Sequence, residues 1–192
     1  MPQQGELFGG ESALPSGLAY VPEFITADEE RALLAGIATL DLREAQYKEY
    51  TARRRVASFG AGYDFTENEL TPAPRIAGFL LPLREKLAAW LRIPAGDFGY
   101  ALVSEYRPGT ELGWHRDVPH FELVAGVSLA GTATMRFRPF PPRKQSPVFT
   151  LQLAPRSAYV LRDDARWKWQ HGIVATPELR YSITFRTRAA AR

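Results

Sequence analysis

The chain has no cysteine. That excludes disulfides, a thiol nucleophile, thiolate-bound zinc and iron–sulfur clusters, so any metal must be held by nitrogen and oxygen. Lysine is scarce: of 24 basic residues only Lys48, Lys86, Lys144 and Lys168 are not arginine. The positive charge therefore sits on planar guanidinium forks suited to carboxylates and phosphates. Histidine is scarcer still, with three in 192 residues, His115, His120 and His171. No apolar run approaches the roughly 20 residues needed to cross a bilayer. The start, Met1-Pro2-Gln3-Gln4-Gly5, lacks the charged-then-apolar texture of a targeting segment. These absences predict a cytoplasmic protein with no membrane partner.

With 45% hydrophobic residues the chain can bury one sizeable core, which predicts a single domain over 18–192 and a likewise monomeric protein. Residues 1–17 are rich in Gly, Pro and Ser and read as a flexible arm. Thr26 and Glu29 have the spacing of a capping box, and Leu33, Leu34 and Ile37 recur on one face, which predicts a helix over 27–38. Ile76, Phe79, Leu80, Leu83, Leu87 and Trp90 predict a second over 74–91, kinked at Pro82. From Tyr100 onward the texture is all-β, with strand runs at 100–106, 123–129, 134–137, 148–153, 158–161 and 181–187. A proline-rich loop, 139–144, interrupts them. The class is α+β: a sandwich or jelly roll with the N-terminal helices packed on one sheet.

The chemistry lies in Gly113-Trp114-His115-Arg116-Asp117 and Trp169-Gln170-His171-Gly172. Two imidazoles and a carboxylate suit Fe(II) and leave positions open for a cosubstrate and dioxygen. Taken singly, His115 or His171 reads as a structural histidine. His120 is kept off the metal and is a candidate for substrate contact. In Arg180-Tyr181-Ser182-Ile183-Thr184-Phe185-Arg186, residues 180, 182, 184 and 186 share one face of a strand, and Ile183 and Phe185 take the other.

Together with Tyr106-Arg107-Pro108-Gly109, Gly126-Val127-Ser128-Leu129, Arg136-Phe137 and His171-Gly172-Ile173, this ordered set resembles the AlkB family of Fe(II)- and 2-oxoglutarate-dependent dioxygenases. The resemblance covers about 100–187 and implies a double-stranded β-helix (jelly roll). It implies His115, Asp117 and His171 as iron ligands. Arg180 matches the arginine that pairs with the distal carboxylate of 2-oxoglutarate, and Tyr106 a tyrosine bonded to the same cosubstrate. Arg186 matches a second arginine near cosubstrate or substrate. Ser104 stands where many relatives have asparagine, as does Ser182. The implied reaction consumes O2 and 2-oxoglutarate, releases succinate and CO2, and hydroxylates a C–H bond. On an N-methyl group the product collapses to formaldehyde and the bare nitrogen.

Relatives acting on nucleic acid carry a lid before the β core, and 45–70 resembles it, with Arg53, Arg54, Arg55 and Tyr63 as candidates for holding phosphates and stacking an extruded base. Adjacent arginines on a strand point to opposite faces, so the three cannot all meet one backbone. After Asp117 the chain reads Val118-Pro119-His120-Phe121, whereas DNA-repair relatives have a base-contacting acidic residue near Pro119. The resemblance implies alkylated single-stranded DNA or RNA as partner. The alternative keeps the cofactors and acts on a protein or small molecule.

Overall fold

The computed structural model describes residues 15–47, 50–64 and 69–190, with 45–47, 50–53 and 62–64 as backbone alone. Before the core come β1 (Leu18–Val21), α1 (Ala27–Ile37), β2 (Arg43–Tyr47), β3 (Tyr50–Phe59), β4 (Ala61–Asp64), β5 (Glu69–Pro72) and α2 (Leu81–Leu91). There follow β6 (Phe98–Tyr106), β7 (Leu112–His115), β8 (Phe121–Leu129), β9 (Ala133–Pro139), β10 (Phe149–Leu153) and β11 (Ala158–Leu161). The chain then runs through α3 (Asp163–Trp167), β12 (Trp169–Ile173) and β13 (Arg180–Arg188).

Two antiparallel sheets face each other. The larger has the order β1-β11-β8-β13-β6-β3-β2 and the smaller β10-β9-β12-β7, with β4 and β5 as a separate hairpin. Alternation along each strand sorts side chains between two cores. On one face of the larger sheet Val103, Val127, Ile183 and Phe185 meet Leu33, Ile37, Leu83 and Leu87 of the two helices. On the other, Tyr106, Val124, Tyr159 and Leu161 meet Met135, Phe137, Leu153 and Ile173 between the sheets. This is the expected jelly roll with helices on one sheet.

The capping box forms as expected. Thr26 Oγ1 accepts the Glu29 N–H at 3.1 Å, while Glu29 Oε2 accepts the Thr26 N–H at 2.7 Å. The second helix is shorter than its periodicity suggests. It starts at Leu81 after a 3-10 turn (Gly78–Leu80), and Pro82 sits in its first turn rather than kinking it. A first-turn proline lacks only an N–H that has no intrahelical partner anyway. The β half also holds a helix, α3, too short to show a period.

Of the segment read as an arm, 1–14 lies outside the described residues. The stretch after it is docked: Ser16 O accepts the Ala165 N–H and Gly17 O the Arg162 N–H. Part of the expected lid segment is sheet, since Arg55 to Phe59 of β3 pairs with Glu105 to Ala101 of β6.

Candidate metal and cosubstrate site

β7 and β12 lie side by side with His115 opposite His171 in register. The rings are 4.3 Å apart between centroids. Asp117 lies two residues beyond the end of β7, and its Oδ2 lies 3.5 Å from His171 Nε2. The ligating atoms of these three residues all lie within 4.8 Å of one another. Nearby contacts aim them: His115 Nδ1 is 2.9 Å from the Gly113 carbonyl, which fits the tautomer with Nε2 free. Arg166 of α3 donates to the carbonyls of Val118 and Phe121 at 2.6 and 2.7 Å, holding the turn that follows Asp117.

Charge is arranged to suit a cation. Burial, the strongest influence on Asp117, pushes its carboxyl upward, but Arg186, His171, His115 and Arg166 outweigh it and hold the group well below the usual carboxylate range. Burial, reinforced by His115, pushes His171 down to about 3 against the pull of Asp117, so the imidazole is neutral with a lone pair to give. Burial likewise lowers His115. An ionised carboxylate and two neutral imidazoles, with no sulfur, fit a divalent iron.

One pocket joins this group to the arginine strand. It is lined by His115, Asp117 and His171 together with Ser104, Tyr106, Tyr159, Arg180, Ser182, Thr184, Arg186 and Arg54, and by apolar walls that include Leu112, Met135 and Ile173. Arg180 is 1% exposed. Its Nε donates to Ser128 Oγ at 2.9 Å, and its guanidinium lies 4.9 Å from the Tyr106 ring centroid. Its Nη1 is buried without a hydrogen-bond partner. A fixed, unsatisfied guanidinium edge on a pocket wall fits a carboxylate such as the distal end of 2-oxoglutarate. Ser104, Ser182 and Ser128 pair across three strands and give a buried polar row beneath.

The remaining predicted residues separate. Arg186 joins the metal group, donating from Nε and Nη2 to Asp117 Oδ1, each at 3.0 Å. Arg54 is 8% exposed and reaches the pocket, with Nη1 3.4 Å from the Tyr106 hydroxyl. Burial is the strongest influence on the Tyr106 hydroxyl and raises it, but Arg54 and Arg180 turn the net shift downward. Arg55 points the other way and does not line the pocket: Glu105 takes its Nε and Nη2 at 2.8 and 2.7 Å. His120 does not line the pocket; its carbonyl accepts the Ala189 N–H beyond the end of β13. The side chains of Arg53 and Tyr63 lie outside the described residues. Sequence reasoning missed Ser128 and Tyr159 as site residues. Ser128 stood inside a quoted motif, but a tyrosine in a short apolar strand gives no signal beyond core packing.

Residues 17–186 match the family model of the 2OG-Fe(II) oxygenase superfamily. The chain is 28% identical to an uncharacterized protein of Acanthamoeba polyphaga mimivirus, over 89% of this chain and 84% of that one. It is 30% identical to the tRNA (carboxymethyluridine(34)-5-O)-methyltransferase ALKBH8 of Macaca fascicularis, over 84% of this chain but 24% of that protein. It is 28% identical to the alkylated DNA repair protein ALKBH8 homolog of Arabidopsis thaliana, over 87% of this chain and 53% of that one. It thus spans about a quarter and about half of these two longer relatives. Among solved structures, OsALKBH1 superposes with a TM-score of 0.66 at 16% identity, covering 92% of this chain and 99% of that one. A Pseudomonas putida prolyl-4-hydroxylase does so with a TM-score of 0.62 at 15% identity, covering 91% and 94%. These two share the fold. On the family match, which runs nearly the length of the jelly roll and both of its histidine strands, the chain belongs to the 2OG-Fe(II) oxygenase superfamily as an AlkB-like dioxygenase.

Proposed function

We propose that this dioxygenase removes N-methyl groups from alkylated bases of single-stranded DNA or RNA, with Fe(II) on His115, Asp117 and His171 and 2-oxoglutarate on Arg180. One observation carries the cofactor part. The one His–Asp–His group among the described residues shares its pocket with a buried guanidinium nitrogen that has no partner. When bound, the iron supplies activation of dioxygen coupled to decarboxylation of the cosubstrate.

The chain's own residues do the rest. The Gly113 carbonyl fixes the proton of His115 on Nδ1, leaving Nε2 as the ligand atom. Arg186 occupies Asp117 Oδ1 and leaves Oδ2 on the side of His171. Ser128 locks Arg180 Nε, so the outer edge of the fork faces the pocket and pairs with a carboxylate. Tyr106, stacked against that fork, adds a hydroxyl donor. Leu112, Met135 and Ile173 wall the site against water, which strengthens each of these contacts. Hydroxylation of an N-methyl carbon gives a hemiaminal, which releases formaldehyde and returns the proton to nitrogen.

Support for the substrate class comes from the relatives, one named for tRNA and one for alkylated DNA repair, and from an arginine-rich β3 that sends Arg54 to the pocket. Pro119, two residues after Asp117, offers no carboxylate to read a base, so the test spans both polymers. Succinate and formaldehyde are measured with Fe(II), 2-oxoglutarate and methylated or unmethylated single-stranded DNA or RNA, with Asp117→Ala as the blank. Methyl-dependent stimulation with matching formaldehyde is expected. Succinate formation indifferent to every polymer would overturn the substrate and leave the oxygenase; undiminished succinate from Asp117→Ala would overturn the ligand set.

A further inference from the structure

The smaller sheet turns one face to the pocket and the other outward, and the outward face is cationic and aromatic. Its four strands contain no Asp or Glu. On β9, Met135 and Phe137 enter the core, so Arg136 and Arg138 take the opposite face. They stand in register with Gly172 and Gln170 of β12. On the edge strand β7, Trp114 precedes the pocket-lining His115 and turns away from it, reaching over β12 to the same two arginines. The guanidinium carbons of Arg136 and Arg138 lie 4.6 and 4.4 Å from its ring centroid. Just beyond these strands Arg116 stacks on Phe140, 3.8 Å from the ring centroid.

These cations are aimed but not neutralised. Elsewhere on the surface carboxylates take the cations, as Asp28 takes Arg31, Asp41 takes Arg43 and Asp164 takes Lys168. Among the described residues no carboxylate pairs with Arg116, Arg136 or Arg138. Arg138 donates its Nε to the Gln170 amide oxygen at 2.8 Å, Arg116 its Nη1 to the Trp167 carbonyl at 3.0 Å, and Arg136 Nε is buried without an acceptor. Aromatic rings therefore orient the guanidinium forks, and the remaining N–H groups await an anion the protein does not supply. Solubility alone asks for charges of both signs and for no such alignment.

A phosphate chain bearing planar bases fits this face better than an acidic peptide does. Guanidinium forks pair with phosphate oxygens, and bases stack on guanidinium and aromatic planes. A peptide carboxylate would use the charge and leave the planes idle. Arg136 and Arg138, two residues apart on one strand, repeat at about 7 Å, an interval that successive phosphates of an extended single strand can follow. Because β7 is the edge of its sheet and carries His115 on one face and Trp114 on the other, one strand can serve both sides.

We propose that the outward face of the smaller sheet, through Arg136, Arg138 and Trp114, binds the backbone of single-stranded nucleic acid flanking the nucleotide that is oxidised. The inference rests on the nucleic-acid reading of the substrate. Fluorescence anisotropy of the full chain with labelled, unmethylated oligo(dT) and oligo(U) over a salt series tests it without any contribution from a methyl group. The double variant Arg136→Gln, Arg138→Gln is expected to lower the slope of log affinity against log salt by about 1.4, two phosphate contacts at about 0.7 each. It should weaken both strands alike. Each single variant, checked by its melting curve, should show about half that change in slope. The control Arg75→Gln, Arg92→Gln removes two exposed cations from the helix side of the larger sheet and should alter binding little. Wild-type protein that binds neither strand, or an unchanged slope in the first double variant, overturns the proposal. So does an equal loss in the control, which would make binding a matter of net charge, or displacement of the strand by poly-glutamate at equal charge, which would give the face to acidic proteins. Succinate formation with methylated strands is read separately. Methyl-dependent turnover in wild type beside unchanged strand binding in the first double variant removes the face and keeps the demethylase. Strand binding through the face without any methyl-dependent turnover keeps the face and removes the demethylase.

Discussion

Arg186 grips Asp117 by one oxygen only: Nε and Nη2 both lie 3.0 Å from Oδ1, while Oδ2 is left beside His171 Nε2. A third contact, Nη1 to Thr184 Oγ1 at 3.0 Å, fixes the far side of the guanidinium. Arg186 therefore acts as a positioning residue through the carboxylate. With Asp117 as the proposed metal ligand, an outer contact of this kind is worth about 10–100-fold in affinity. Arg186→Ala is expected to weaken Fe(II) or Mn(II) binding by about that factor, read by competition with a chelating dye. Arg186→Lys should recover little, because one ammonium cannot make the three contacts. Unaltered metal affinity in Arg186→Ala would show that Asp117 is held in place by its loop alone.

Glu105 of β6 pins its neighbour in the sheet, the arginine strand β3. It takes Arg55 through both of its oxygens, Arg107 Nε at 3.0 Å and the Tyr181 hydroxyl at 3.3 Å, and its side chain is 6% exposed. The hydrogen bonds from Arg55 are the largest cause of its lowered pKa. Because the folded state binds the proton less readily than the unfolded chain, this pair stabilises fully above the ordinary glutamic acid value of about 4.3. That stability is lost as pH falls through the lowered folded value. A melting series from pH 7 to 3 should fall steeply in wild type below pH 5. In Glu105→Gln it should start lower by about 1–2 kcal/mol at neutral pH, discounted for the partial exposure of Arg55, and fall less. Parallel curves would mean that Glu105 adds nothing to the acid response.

Much of this was legible in the residues. Thr26 and Glu29 announced α1, and the alternation of Arg180, Ser182, Thr184 and Arg186 announced which face of β13 lines the pocket, because both patterns are local and periodic. The arginine run was harder. Strand geometry says that Arg54 and Arg55 diverge, but only the tertiary pairing with Glu105 shows that Arg55 turns away from the pocket while Arg54 enters it. Pro82 read as a kink because periodicity alone did not reveal that the helix begins one residue before it. Tyr159 was invisible for a different reason: its placement in the pocket depends on the blank left by Gly126, 33 positions earlier in the chain, and nothing within either strand marks the pair.

At the far end of α2, Arg92 closes the helix at φ 56°, ψ 45°, the left-handed conformation that favours glycine. The residue is exposed, and neither the pocket nor the metal group includes it. A non-glycine residue held there costs about 1–2 kcal/mol, of which glycine's greater freedom in the unfolded chain returns part. Arg92→Gly is therefore expected to stabilise by about 0.5–1 kcal/mol in urea denaturation, with succinate formation unchanged. A destabilised variant would mean that the Arg92 side chain contributes packing that outweighs its backbone strain.

The pairing of Gly126 with Tyr159 makes a prediction about stability that is independent of ligand. Gly126→Ala places a methyl group against the Tyr159 ring at 2.4 Å, closer than any tolerated contact, and the ring is confined by Leu161, Met135 and Val124 in the same core. Overpacking of this kind costs about 1–3 kcal/mol. Adding Tyr159→Leu to Gly126→Ala removes the ring and should return much of that loss, while Tyr159→Leu alone leaves a cavity and destabilises. A double-mutant cycle in urea reads the coupling directly. Strictly additive effects would mean that strand β8 accepts the methyl by shifting its backbone, and the flat placement of the tyrosine would then owe nothing to the glycine beneath it.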